Sequence, residues 1–325
     1  MVGISEKNDS QRITFWPDSR MIEYARKKSV YLLLGATLAI SGLLKPDFLT
    51  ANHLLNLLRQ TSPLGVVAAG QTVTIIAGSF DLSVGAVIGL VNVLLAEPLF
   101  SSQLPAATGI ICVLALGAFI GWLNGLGIVK LNISPLIMTM GMMITLEGLS
   151  LLVSGGAPGG QVAGLVRSIG AGKIAFMPMA FAFWVVVTAG IFLLLKKTRS
   201  GRKIYSVGGN RRAAYMSGIN TDRIVTMAHV ICGTTAALAG VMLSGYIGTG
   251  ALGLGADYMM NSIAAVIIGG TRLEGGLGSV FGSATGAFLL VVIISIFSMF
   301  NVGYPAKLIL GGGVIIAAMT LYKRK

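Results

Sequence analysis

Residues 78–85 read Gly78-Ser79-Phe80-Asp81-Leu82-Ser83-Val84-Gly85, and their setting decides the fold. A carboxylate and two hydroxyls lie there between two apolar runs, Pro63 to Ala77 and Ala86 to Ala96. An ionisable side chain flanked by that much hydrocarbon is costly, and inside a membrane it marks function by default. Glycines at both ends let backbones come close or let a helix break. The stretch predicts a polar station within a chain that crosses a membrane.

Composition supports that setting. Of the 325 residues, 54% are hydrophobic and 11% are charged, and the mean hydropathy is +0.84. A soluble domain carries about 25% charged residues. The expected fold class is therefore all-α, a polytopic membrane protein. The 45 glycines suit close helix packing. The net charge of +13 raises nucleic acid as a partner, but the positions of the charges exclude it. Basic residues gather near the N-terminus, in Lys196–Arg223 and in Lys323-Arg324-Lys325, which is the pattern of cytoplasmic loops. Anionic membrane lipids are the remaining partner that this charge implies. Cys112 and Cys232 lie in apolar segments without disulfide or metal-ligand spacing, and read as small buried hydrophobes.

A span needs roughly 20 apolar residues. Ten candidates follow: 29–45, 54–78, 82–99, 105–128, 133–153, 174–195, 224–249, 257–271, 278–300 and 304–322. The second, third and eighth are short or interrupted by polar residues and glycine. With both termini cytoplasmic, 19 of the 24 Lys and Arg residues fall inside, which supports an even number of crossings. Eight spans with two re-entrant hairpins give the same parity. The organisation is a cytoplasmic segment 1–28, a membrane domain 29–322 with a cytoplasmic loop 196–223, and a basic tail 323–325. The polar segment 1–28 has no cleavable signal pattern, so the first span serves as an uncleaved insertion signal. Ser154–Gly160 reads as an outer loop.

The loop 196–223 carries a helix signal. Asn210 suits an N-cap, Arg211, Arg212, Ala213, Ala214, Tyr215, Met216 and Ser217 suit about two turns, and Gly218 suits the C′ position. The apolar content of those turns fits either docking of a cytoplasmic partner or an interfacial helix on the membrane.

Three ordered motifs then resemble the permease subunit of ribose-type sugar ABC importers: GSFDLSVG (78–85), GRKIYSVGGN-RRAA-YMSGI (201–219) and NSIAAVIIGGTRLEGGLGSVFG (261–282). The likeness runs from about residue 30 to 320. It implies a bacterial cytoplasmic (inner) membrane location, about ten transmembrane helices, and a pair of permease subunits, identical or different. It also implies a cytosolic ATP-binding subunit and an extracytoplasmic sugar-binding protein. Asn210–Gly218 would then be the coupling helix inserted into the ATPase. This chain would bind no cofactor, ATP being held by the partner. The resemblance matches Asp81, Leu82, Ser83 and Gly85 in the first motif. In the loop it matches Gly201, Arg202, Gly208, Gly209, Asn210, Ala213, Ala214, Ser217, Gly218 and Ile219. In the third motif it matches Ala264, Ala265, Gly269, Gly270, Thr271, Gly275, Gly276, Gly278 and Ser279. Departures are Ser79-Phe80 in place of Gly-Ile, no acidic residue at Met259 or Met260, and Arg272 in place of a small residue.

Individual residues carry separate expectations. Asp81 and Ser83 either touch a solute or fasten broken helix ends, and a neutral polyhydroxylated cargo needs so little contact that fastening is favoured. Glu147, mid-span, should face the bundle or a wet cavity, or make an interhelical hydrogen bond. Asn261 is a further pathway or structural polar group. Asn124 and Asn132 bracket a cytoplasmic turn. His229 lacks a nearby acidic partner in sequence, which favours packing over a proton relay. Gly117, Gly121 and Gly125 repeat every four residues and predict a close-packing face. Gly248–Gly253 with Glu274 formally fits a dinucleotide fingerprint, but no strand–helix unit surrounds it. The inner glycine turn Gly269, Gly270, Arg272, Glu274, Gly275 and Gly276 lacks the lysine of a phosphate loop, and no ATPase motif occurs. Arg272 and Glu274 pair with each other or meet the ATPase. The leading function is an importer's permease subunit without its own hydrolysis. The alternative is an ion-coupled secondary transporter using Asp81 and Glu147.

Overall fold

The computed structural model describes residues 19–157 and 159–303, together with 305, 306, 309, 312 and 313. Most of the expected span 304–322, the tail 323–325 and residues 1–18 of the N-terminal segment lie outside the described residues. The described chain is a helical bundle in the order α1 (Ser19–Leu44), α2 (Ala51–Ile76), α3 (Val84–Ala96), α4 (Ala106–Lys130), α5 (Pro135–Ser154), α6 (Gly164–Ala171), a two-residue hairpin β1–β2 (Lys173–Ile174 and Met177–Pro178), α7 (Met179–Lys197), α8 (Arg199–Gly209), α9 (Arg211–Met216), α10 (Thr221–Ile247), α11 (Ala256–Ile268) and α12 (Val280–Met299). Five of these, α4, α5, α7, α10 and α12, are long and apolar enough to cross a membrane.

α2 and α10 form the centre. Every residue of α2 from Thr61 to Ile76 is buried, and α10 packs against α2, α3, α4 and α6. α2 falls short of a membrane-like hydropathy because it carries Ser, Thr and Gln along that buried length. Those groups are satisfied locally: the Thr61, Ser62 and Thr72 hydroxyls donate to the carbonyls four residues back, at 2.6–2.7 Å. Thr72 also meets Ser283 of α12 at 2.7 Å.

α3 and α11 have 13 residues each. At 1.5 Å per residue they are about 20 Å long, short of a hydrocarbon core of about 30 Å. Their starts touch, since a Cβ on Gly85 would lie 2.6 Å from the Gly255 carbonyl oxygen. Asn92 of α3 holds the strand-like approach to α11, donating to Thr249 O at 3.1 Å and accepting from Ala251 N at 2.7 Å. These half-length helices are why two of the ten spans looked interrupted.

Three local features depart from the sequence reading. α1 starts at Ser19, so the helix extends through Arg20 and Arg26–Lys28 into what read as the polar segment 1–28. α6 folds between the expected outer loop Ser154–Gly160 and the next span, where no element was assigned; Val166, Ile169 and Gly170 form its buried face, and its backbone packs on Gly245 of α10. The span expected at 174–195 starts only at Met179, because the β1–β2 hairpin precedes it and Pro178 sits at the cap position.

The four-residue glycine repeat of α4 lies against α10. Gly117 faces Gly233 and Ala237, Gly121 faces His229 and Val230, and Gly125 faces Thr226. A Cβ on Gly117 would stand 2.5 Å from both the Gly233 carbonyl oxygen and the Ala237 Cβ. Gly117→Val should therefore destabilise the bundle by about 1–3 kcal/mol, the usual cost of overpacking. Gly148→Val, with nothing within 4 Å, is the control. Denaturant-induced unfolding in detergent checks the pair, and equal midpoints would refute the close-packed seam.

Candidate functional site

The polar station 78–85 is a break between two helices, and the backbone chemistry explains its shape. α2 ends at Ile76, Gly78 takes φ +79°, and the Gly78 and Ser79 amides return to the Ile75 and Thr74 carbonyls. The chain then reverses and α3 starts after Ser83. Asp81 fastens this reversal. Its Oδ1 accepts from the Ser83 amide at 2.8 Å and from the Ser83 hydroxyl at 2.6 Å.

Two other helices, and α2 itself, reach the same region. From α4, Asn124 Nδ2 lies 3.3 Å from Asp81 Oδ2 and 2.9 Å from Ser83 Oγ. From α10, His229 Nδ1 lies 3.4 Å from Asp81 Oδ2, while its Nε2 lies 2.8 Å from Ser79 Oγ. From α2, Gln71 Nε2 donates to the Asp81 carbonyl at 3.0 Å, and its Oε1 accepts from Cys232 Sγ at 3.1 Å. Asp81, Ser83, Asn124, His229 and Gln71 are all at most 1% exposed. The network has no open wall for a solute, so the role visible here is fastening.

This corrects the view of His229 as a histidine without an acidic partner. Asp81 stands 148 residues away in sequence and in contact in space. Because the carboxylate accepts only, the ring nitrogen facing it carries the proton. Asn124 is likewise a member of the network rather than a turn residue, whereas Asn132 does sit in the turn after α4, at φ +53°.

The three motifs converge on one another. Gly276 N donates to Ile76 O at 2.9 Å, joining the inner glycine turn to the end of α2. A Cβ on Gly275 would lie 2.8 Å from Gly208 O and 2.9 Å from Gly78 Cα, so the ends of α2 and α8 and the turn meet backbone to backbone. The φ of Gly275, +92°, independently requires glycine there. Tyr205 of α8 donates to Gly278 O at 2.9 Å. Burial pushes its phenol above the usual tyrosine range, so it stays protonated as that donor. Arg272 and Glu274 are exposed, and among the described residues they form no ion pair with each other.

α9 continues directly from this junction. Asn210 Oδ1 accepts from Ala213 N at 2.9 Å, and Gly218 closes the helix at φ +78°. Arg211 pairs with Asp222 at 3.0 Å. Ala214 is buried, while Tyr215 and Met216 are 68% and 77% exposed. The sequence reading missed α8, the helix that carries α9; its buried Gly201, Ile204 and Val207 were the available signal.

Glu147 and Asn261 stand elsewhere. Glu147 is exposed on this single chain and lines a cavity of about 350 Å³ with Gly85, Gly89, Met143, Ala256 and Met259. The interhelical hydrogen bond envisaged for it is not formed among the described residues. Asn261 lines a separate cavity between α2, α10, α11 and α12. Among the described residues no group of three or more His, Cys, Asp or Glu side chains is placed to hold a metal.

Comparison with known proteins bears on this arrangement. A family profile described as "Branched-chain amino acid transport system / permease component" matches residues 53–319. The ribose import permease protein RbsC of Escherichia coli (strain K12) is 32% identical over 303 residues, covering 92% of this chain and 94% of that protein. The RbsC of Bacillus subtilis (strain 168) is 33% identical over 305 residues, with 92% and 94% covered. The galactose/methyl galactoside import permease protein MglC of Salmonella typhimurium is 32% identical over 326 residues, with 94% and 97% covered. No solved structure matches the chain.

Removing one member of a buried, hydrogen-bonded charge pair costs about 3–5 kcal/mol. Asp81→Ala is expected to lower the thermal unfolding temperature in detergent, with Asp81→Asn intermediate. Asp81→Ala combined with His229→Ala should lose less than the two single variants added together. Strictly additive losses would sink the network as a unit.

Proposed function

This chain belongs to the branched-chain amino acid transport system / permease component family, and from that premise we propose that it is the membrane subunit of an ATP-driven importer of a monosaccharide. The sugar class comes from relatives named as ribose and galactose import permeases, at 32% identity over nine-tenths of the chain. The chain is a multi-pass membrane protein. Ten spans with both termini cytoplasmic agree with the charge distribution, with α8 and α9 on the cytoplasmic side of a bacterial inner membrane.

In this reading a cytosolic ATPase subunit grips α9 through Tyr215 and Met216, and an extracytoplasmic binding protein delivers the sugar. The observation that carries the mechanism is the junction of the ends of α2 and α8 with the inner glycine turn. α9 follows α8 within two residues, and Asp81 follows Gly78 within three. A displacement of α9 by the ATPase therefore reaches the break that starts α3. Alternating access needs the ATPase to contact the two states differently, and α9 is the surface for that difference. The α5 face bearing Glu147 turns toward a second permease subunit, since a carboxylate mid-span needs protein or water beside it.

The test is sugar uptake into vesicles. Tyr215→Asp together with Met216→Asp should lower ATP-driven uptake at least about tenfold, a loss of about 1.4 kcal/mol in coupling, while the chain stays folded in the membrane. Accumulation driven by an ion gradient with this chain alone would overturn the reading.

A further inference from the structure

At the end of the bundle opposite α8 and α9, six polar side chains face one cavity, and none is engaged by the described residues. The cavity measures about 400 Å³ and lies between α2, α10, α11 and α12. Arg59 and Gln60 come from α2, Tyr246 from α10, and Asp257, Tyr258 and Asn261 from α11. Leu64 and Val291, both buried, form part of the apolar floor. Among the described residues none of the six side chains makes a hydrogen bond or an ion pair, and Arg59 Nε is buried without a partner.

The contrast with the break at Asp81 is the informative point. There, each polar side chain is tied to another. Here, a guanidinium, a carboxylate, two amides and two phenols line one cavity; Gln60, Tyr246 and Asp257 are exposed, and the buried Arg59 Nε, unpartnered among the described residues, carries the contrast. Arg59 is eight residues into α2, about 12 Å along the axis. Polar groups at that depth require water or a polar solute to complete them.

The donor and acceptor set narrows the solute. Arg59 only donates and ionised Asp257 only accepts, while the amides and phenols do both. An anion would suit Arg59 and be repelled by Asp257, and a cation would meet the reverse. A neutral molecule whose hydroxyls donate and accept suits both charged groups, the amides and the phenols; a zwitterion suits the charged pair alone, and the importer reading selects the former. The volume lies at the small end of the roughly 300–1,000 Å³ of small-molecule pockets.

We propose that this cavity is a binding site for a neutral polyhydroxylated solute of the monosaccharide class, with Arg59, Asp257 and Asn261 as its principal polar contacts. It is the first station for the cargo inside the permease. The choice of a sugar as the solute and the direction of travel both rest on the importer reading.

The experiment uses the whole chain in lipid nanodiscs, with Cys112, the exposed thiol, replaced by serine; Cys232 is buried and stays. Ile294→Cys places a reporter on the cavity wall without touching the six polar groups, and Val291→Cys is a second such reporter should the first not fold. A charged, water-soluble thiol reagent should label the reporter, and D-ribose or D-galactose should slow labelling severalfold. A sugar phosphate should not slow it. Adding Asp257→Asn or Arg59→Gln should weaken the sugar effect about tenfold, the loss of one hydrogen bond to a charged group. Failure of a folded reporter variant to label, or labelling at the same rate with and without sugar, overturns the site, the latter leaving a wet vestibule only. Failure of the complete importer to accumulate sugar would instead strike the functional reading, whatever the labelling result.

Discussion

A carboxylate that is 1% exposed in the interior of a helical membrane bundle is the constraint on which the rest of this structure depends. Asp81 cannot be left unsatisfied there, because an ionised group without partners in a low-dielectric interior costs far more than a bundle's net stability. Ser83 supplies two donors from the same break, and these alone would form a local turn. Asn124 and His229 convert the turn into a joint by adding donors from α4 and α10. The position of the joint then dictates that α3 starts deep in the bundle and stays short. A short α3 in turn leaves room for the chain before α11 to descend beside it, where Asn92 holds Thr249 and Ala251.

The second constraint is the close approach of backbones on the α8–α9 side. Where Gly78, Gly208 and Gly275 meet, there is no side chain to deform and little space to lose. Packed interiors respond to such contacts by shifting between discrete arrangements rather than yielding continuously. In the proposed importer, that property suits a junction between a surface helix and a helix break. The hydrogen bond from Gly276 to Ile76 adds a directional tie that packing alone lacks.

Much of this was legible in the sequence. The helical, apolar character of the chain, the four-residue glycine repeat of α4, the Asn210 cap and the Gly218 stop all rest on local chemistry, and the structure places each where that chemistry implies, whereas among the described residues only five of the ten expected spans are helices long and apolar enough to cross. What was not legible has a common cause. His229 pairs with a residue 148 positions away, and Gly276 with one 200 positions away. Periodicity and capping rules see only neighbours within about a turn, so Asp81 and His229 read as two isolated oddities. α6 and α8 were missed for another reason: each is short, and each is stabilised by one small buried face rather than by a long apolar stripe. Arg272 and Glu274, two residues apart, suggested a pair by proximity, but the turn sends them separately to solvent.

The distribution of satisfied and unsatisfied polar groups divides the molecule functionally. On the side of α8 and α9, Asp81, His229 and Gln71 are held by their neighbours and Asn124 is held through its Nδ2, its Oδ1 alone being left without a partner among the described residues. On the opposite side, Arg59, Gln60, Asp257 and Asn261 leave their bonding capacity open around a cavity. A hydrogen-bonding group can fasten helices or recognise a cargo, but a buried group whose lone pairs and protons are all engaged cannot do both. In the proposed importer, force transmission and solute contact fall to different ends of the same helices. α2 links them: Arg59 and Gln60 stand near its start, and Ile76 at its end meets Gly276.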